Sequence, residues 1–147
     1  MAAEKSSTPS GFVSDEELLA LWRVRWKSSI EELTSLEHQR KTWLDAEKPS
    51  VHYTFLEFNC CYFDDLLCGL SYSQLVENGY VSEQEKAAVI EWHTALDGYN
   101  SPGNNDYDDA AILNDPEWIR IAALGAVAWK NLQLLWDTNQ HANSNGF

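Results

Sequence analysis

Residues 115–136 read DPEWIRIAALGAVAWKNLQLLW, and this stretch decides the fold. Asp115 followed by Pro116 is a strong N-cap and first-turn pair, because proline has no N–H to lose there and its φ already suits a helix. Behind it come Trp118, Ile119, Ile121, Ala122, Leu124, Val127, Ala128, Leu132, Leu135 and Trp136. Apolar residues fall on nearly every face at helical spacing, so the segment predicts a helix at the middle of the domain.

Working back along the chain, each strong signal is again helical. Ser82-Glu83-Gln84-Glu85 is a capping box that opens a helix through Val89, Ile90, Trp92 and Leu96, which stops at Asp97-Gly98. Tyr72 to Asn78 forms a short helix closed by Gly79, and a helical turn is expected from Ala110 to Leu113. Ser14 with Glu17 is a second capping box. It heads a helical period through Leu18, Leu21, Trp22, Trp26, Ile30, Leu33, Leu36, Trp43 and Leu44. Ser28 and Ser29 precede Glu31 and Glu32 at capping spacing, so residues 14–46 are either one long helix or a pair broken near 28, ending before Pro49. Residues 50–68 are ambiguous: Val51, Phe55, Phe58, Tyr62 and Leu66 keep helical spacing, while Val51, Tyr53 and Phe55 alternate as in a strand. Length and the stop at Gly69 favour a helix.

The fold class expected is all-α, an irregular bundle of about five to six helices in a single domain. The helical domain spans 14–137. Residues 1–13 are rich in Ser, Thr, Pro and Gly and read as a flexible N-terminal segment; the Asn-rich residues 138–147 read as a flexible tail. No run of eighteen apolar residues exists, so no membrane span is expected. The first eleven residues lack the apolar stretch of a secretory signal. Cys60, Cys61 and Cys68 make a poor disulfide set, since adjacent cysteines do not bridge without strain, so buried reduced thiols and a cytoplasmic location are expected.

Charge separates the two parts of the chain. The 147 residues carry a formal net charge of −13. Residues 1–48 hold seven basic and nine acidic side chains, whereas 49–147 hold three basic (Lys86, Arg120, Lys130) and fourteen acidic ones. Direct nucleic-acid binding is therefore disfavoured, for it needs clustered Lys and Arg on phosphates. Such a field favours either solubility or a basic protein partner.

Catalytic signatures are missing. No HExxH, P-loop, GxGxxG or serine elbow occurs, and His38, His52, His93 and His141 include no pair at i+3 or i+4. Catalytic residues, bound metal and cofactors are accordingly not expected. A Cys61–His93 pair has no local mark of an activated thiol. Asn104, Asp106 and Asp108 with Asp115 follow the 1-3-5-12 order of a calcium loop, but Asp109 stands where a glycine makes the turn and Asp115 replaces a bidentate Glu. A solvated acidic loop is the simpler reading. The stretch 97–117 joins Asp97, Asp106, Asp108, Asp109, Asp115 and Glu117 to Tyr99 and Tyr107, and Asp64, Asp65, Glu77 and Glu91 extend this candidate partner-binding set. Carboxylates steer and bond Arg or Lys, and Tyr supplies rigid amphipathic anchors. The plainer alternative has both tyrosines packing beneath the loop.

A small, acidic, mostly helical chain with this Tyr-bearing acidic stretch resembles the immunity proteins of bacterial toxin–immunity pairs. The resemblance is one of type; no motif of one immunity family matches residue by residue, so no family site is carried over. It implies stoichiometric inhibition of a cognate toxin domain, such as a nuclease, by carboxylates laid against its basic surface. Two other readings compete: mimicry of nucleic acid toward a DNA- or RNA-binding protein, and a metal-dependent helical hydrolase using the 104–115 carboxylates. The long first helix also offers a face for homodimer formation.

Overall fold

The computed structural model describes residues 14–45 and 54–144, with side chains placed through Thr138. Among the described residues every regular element is helical. In chain order these are α1 (Asp15–Thr34), α2 (Leu36–Thr42), α3 (Phe55–Cys60), α4 (Tyr72–Glu77), α5 (Glu83–Asp97), α6 (Asp109–Leu113) and α7 (Pro116–Ser144). A π-helical turn, Cys61–Leu67, continues α3, and a 3₁₀ turn, Pro102–Asn104, interrupts the loop before α6. The all-α irregular bundle expected from periodicity is what forms.

Local signals set most boundaries. The Ser14–Glu17 and Ser82–Glu85 capping boxes are both made. Ser71 with Gln74 adds a third, which opens α4. Gly79 takes φ 81° at the end of α4, a region glycine enters without steric cost. The π turn closes with Cys68 already left-handed at φ 51° before Gly69 at φ 80°.

Of the two alternatives for this stretch, the break near Ser28 does not occur. α1 runs through it, because Ile30 and Leu33 are both fully buried and a kink at 28 would lift them off the core. The chain breaks at Ser35, whose side chain accepts from the His38 N–H and starts α2. That turn brings Gln39, also fully buried, to a position where both ends of its amide are satisfied: Nε2–H donates to the Glu32 carbonyl (2.9 Å), and Oε1 accepts from Trp118 Nε1–H (3.0 Å). For residues 50–68 the helical reading holds from Phe55; the alternation at 51–53 lies outside the described residues, as do 1–13 and Pro49.

The spine of the bundle is α7, with α1 and α5 packed along it. Trp118, Ile121, Ala122, Ala128 and Leu132 are buried. Gly125 marks the closest approach: an added Cβ would stand 2.4 Å from Thr34 Cγ2 and 2.9 Å from Trp92 Cδ1. The helix is not enclosed on every side, however. Val127 (60% exposed) and Leu134 (55%) face outward, because α1 and α5 cover only part of its circumference. It continues as helix to Ser144, through part of the stretch read as a tail.

Two aromatic clusters fill the core. Trp43, Phe55, Phe58, Tyr99 and Trp118 pack at one end. Trp22, Trp26, Tyr62, Tyr72, Tyr80 and Trp92 pack at the other. There a chain of bonds runs from Trp26 Nε1–H to the Tyr72 hydroxyl (2.9 Å), on to the Tyr62 hydroxyl (2.6 Å), and to His93 Nδ1 (2.9 Å). Trp26 can only donate, so every polar atom along the chain is satisfied when Tyr72 donates to Tyr62 and Tyr62 donates to a neutral His93.

Candidate functional site

Helix α3 and the loop before α6 build the acidic face together. Thr54 caps α3 by accepting from the Glu57 N–H (3.2 Å), which fixes Glu57 in the first turn. The π turn then presents Asp64 and Asp65 to solvent. Across from them the loop is held by its own polar groups. The Ser101 hydroxyl donates to Asp106 Oδ1 (2.6 Å), and Asn105 Oδ1 accepts from the Tyr107 N–H (3.1 Å). Asp106 and Tyr107 thereby line a shallow hollow of about 250 Å³ with Thr54, Leu56 and Glu57. Tyr107 is 81% exposed.

Cys60 reports on how these acids converge. Its thiol pKa is pushed up by burial and then by the fields of Asp64, Glu57, Asp106 and Asp65. Residues far apart in sequence thus form one negative surface around a half-buried thiol. Tyr99 extends it: burial, the hydrogen bond to Asp115 and the fields of Asp115, Asp106 and Glu117 all hold its hydroxyl in the neutral form.

The expected partner-binding residues divide. Asp64, Asp65 and Asp106 come together, joined by Glu57, which sequence reasoning left out and which no local pattern marks. Asp108 caps α6 by accepting from the Ala111 N–H (3.1 Å), and Asp109 Oδ1 accepts from the Phe55 N–H (3.1 Å). Asp115 accepts from the Tyr99 hydroxyl (2.8 Å) and the Glu117 N–H (3.2 Å). These three hold the loop in shape. Tyr99 is half-buried against Phe55 and Trp118, so of the two tyrosines only Tyr107 stands free of the core. Glu117 pairs with Arg120 at 2.7 Å, and Arg120 also feels Glu91. Asp97 ends α5 within the field of His93. Glu77 stands exposed at the end of α4, with no hydrogen bond or ion pair to the rest of the set.

Neither metal nor thiol chemistry gains support from the geometry. The 104–115 carboxylates point at different backbone and hydroxyl donors, and among the described residues no group of three or more His, Cys, Asp or Glu is placed to hold an ion. The cysteines are free: Cys60 and Cys61 are half-buried and Cys68 is exposed, so none of the three is buried as expected, Cys68 least of all because the chain turns outward at the helix end. The Cys61 thiol pKa is raised by burial and by Glu57 and Asp65, the opposite of an activated nucleophile. His93 is taken up by Tyr62.

A separate cavity of about 780 Å³ lies between the end of α1, the start of α2 and the Ala122–Ala126 side of α7. On its wall His38 Nε2 meets Glu32 Oε1 at 2.9 Å. Burial raises the Glu32 pKa despite this contact and a bond from the Trp43 side chain. No helix among the described residues is long and apolar enough to cross a membrane. No protein family matches this chain, and no curated protein or solved structure is found to be similar to it.

Proposed function

We propose that this protein binds and neutralises a basic protein partner through the face formed by Asp64, Asp65, Asp106 and Glu57, as an immunity protein binds its toxin. One observation carries the reading: four carboxylates from two distant segments converge on Cys60, beside a tyrosine left 81% exposed at the rim. A surface of one sign attracts a partner rich in Lys and Arg. The field steers the partner into contact, charge-assisted bonds form to its guanidinium and ammonium groups, and Tyr107 supplies the apolar anchor. No group on the protein needs to react. Inhibition follows from occupying the surface with which the partner grips its own substrate.

The test is a tagged pull-down from native lysate at low salt with a salt-step elution, run beside Asp64→Asn/Asp65→Asn/Asp106→Asn. Asn keeps the oxygen that Ser101 bonds, so the fold is retained while charge is removed. Wild type should recover a basic protein at one-to-one ratio, and the variant should lose it. Equal recovery by both, or none by wild type, refutes the proposal. Assaying the recovered protein for nuclease activity then identifies the class of partner.

A further inference from the structure

Helix α1 carries a second surface, whose Arg25 lies within reach of the acidic face around Cys61. With about 100° between successive residues, positions 14, 17, 18, 21, 24, 25 and 28 fall within about 60° of the direction of residue 21. In this chain they are Ser14, Glu17, Leu18, Leu21, Val24, Arg25 and Ser28, and all seven are exposed. Leu18, Leu21 and Val24 are 50%, 55% and 64% exposed, so three large apolar side chains share one outward face, Leu18 and Val24 about 60° to either side of Leu21. The buried residues of the same helix, Trp26, Ile30, Leu33 and Thr34, serve the core from its other side.

This stripe is complementary to itself when reversed. About Leu21, Leu18 is balanced by Val24, Glu17 by Arg25 and Ser14 by Ser28. We infer that α1 pairs antiparallel with α1 of a second copy, around a two-fold axis through Leu21. Leu21 then meets Leu21 of the second copy on the axis and Glu17 reaches its Arg25, an ion pair made twice as an isologous interface requires, while Leu18 and Val24 lie on opposite flanks of the seam. Parallel pairing in register sets Glu17 against Glu17 and Arg25 against Arg25, and is disfavoured by both. Arg25 makes no ion pair among the described residues, unlike Arg23, which is bound by Glu85, and Lys27, which lies over the Trp136 ring. The field of Arg25 reaches Cys61, and its guanidinium is the one the two-fold uses.

The contact is small. It falls well short of the roughly 800 Å² per partner of a standard interface, and the −13 charge on each copy opposes it, so the dimer is weak and concentration-dependent. At about 0.15 M salt the Debye length of about 8 Å screens the distant charges while Glu17 and Arg25 remain in contact.

Sedimentation velocity of the full chain from about 10 μM to about 1 mM reads the association directly. Wild type should shift toward dimer as concentration rises. Arg25→Glu and Glu17→Arg, each setting like charges together, should both remain monomeric. Mixed in equal amounts, the two variants should recover dimer, because each then faces its opposite. Leu21→Glu places two carboxylates on the axis and should abolish pairing. Circular dichroism checks that helicity persists, particularly in Glu17→Arg, which also loses the cap bond to Ser14. Wild type remaining monomeric throughout, Arg25→Glu associating as wild type does, or a mixture that stays monomeric each overturns the inference. None of these variants replaces Asp64, Asp65 or Asp106; Arg25→Glu does change the field at Cys61 beside them, so a pull-down with the Leu21→Glu variant keeps the two surfaces distinguishable.

Discussion

Replacing Glu85 by Gln tests the most heavily used polar group in the bundle. Glu85 is 5% exposed, yet charged. Its Oε1 accepts from Arg23 Nη1 (3.0 Å) and from the Ser82 N–H (2.9 Å); its Oε2 accepts from Arg23 Nη2 (2.7 Å) and from Trp136 Nε1–H (2.8 Å). Burial alone would raise its pKa, but the bonds from Arg23, Trp136 and Ser82 overcome that and bring it from 4.5 down to about 2. At 1.36 kcal/mol per unit, a shift of this size corresponds to about 3 kcal/mol of stability. The sign follows from the direction. Glu85 is ionised in the folded chain well below the pH at which the unfolded chain takes up its proton. Its contribution is therefore complete above about pH 4.5 and lost as pH falls toward 2. Glu85→Gln keeps the shape but turns an amide NH₂ toward Arg23, so the variant should be less stable than wild type by about 3 kcal/mol at pH 7. Urea unfolding followed by far-ultraviolet circular dichroism measures both proteins, and every other carboxylate cancels in the comparison. The gap should narrow steadily from about pH 4.5 to about pH 2. A gap below about 1 kcal/mol at pH 7, or one that does not narrow on acidification, refutes the reasoning.

Two further predictions concern the core. Gly125→Ala sets a methyl group against Thr34 and Trp92 and should cost about 1–3 kcal/mol in thermal unfolding, part of it recovered by adding Thr34→Ser, which removes the clashing Cγ2. Burial lowers the His93 pKa against the opposing field of Asp97, so stability should decline as pH falls below the unfolded value of 6.5, when the unfolded chain binds a proton that folded His93 refuses. Nuclear magnetic resonance titration of the ring should place its midpoint below 6.5, and a midpoint above that value would contradict the assigned bond from Tyr62.

What could be read in the sequence was what is decided locally. The boxes at Ser14 and Ser82, the stops at Gly69 and Gly79 and the Asp115–Pro116 start each depend on a handful of adjacent residues. The break in the first helical stretch does not. Ser28 has the better capping pattern, with Glu31 three residues on, yet the helix passes through it and stops at Ser35, where Gln39 must reach both Glu32 and Trp118. Contacts of that range are invisible to periodicity. The same limit governs the acidic face. Its charge was legible as composition, but Asp108, Asp109 and Asp115 bind loop donors on Ala111, Phe55 and Tyr99, and only folding reveals which carboxylates remain to face outward. Glu57 joins the face because α3 turns back toward the 101–107 loop, a juxtaposition without any mark in the sequence.

The position of the spine helix in the chain bears on how the protein is made. α1 and α5 close against α7, the last of the three to be synthesised. Until residues through Leu132 have left the ribosome, Trp26, Ile30, Leu33, Val89 and Trp92 lack the α7 side of their core, although Trp26 can already meet Tyr72 and Trp92 can meet Tyr62. The nascent chain therefore presents a broad aromatic seam for most of its synthesis, the condition under which chaperone capture and aggregation compete with folding. The contact of 39 with 118 can form only at the end, whereas 23 with 85 lies wholly before α7, so a chain cut before α7 should keep part of the aromatic cluster around Tyr62 and Tyr72 and lack the rest of the core.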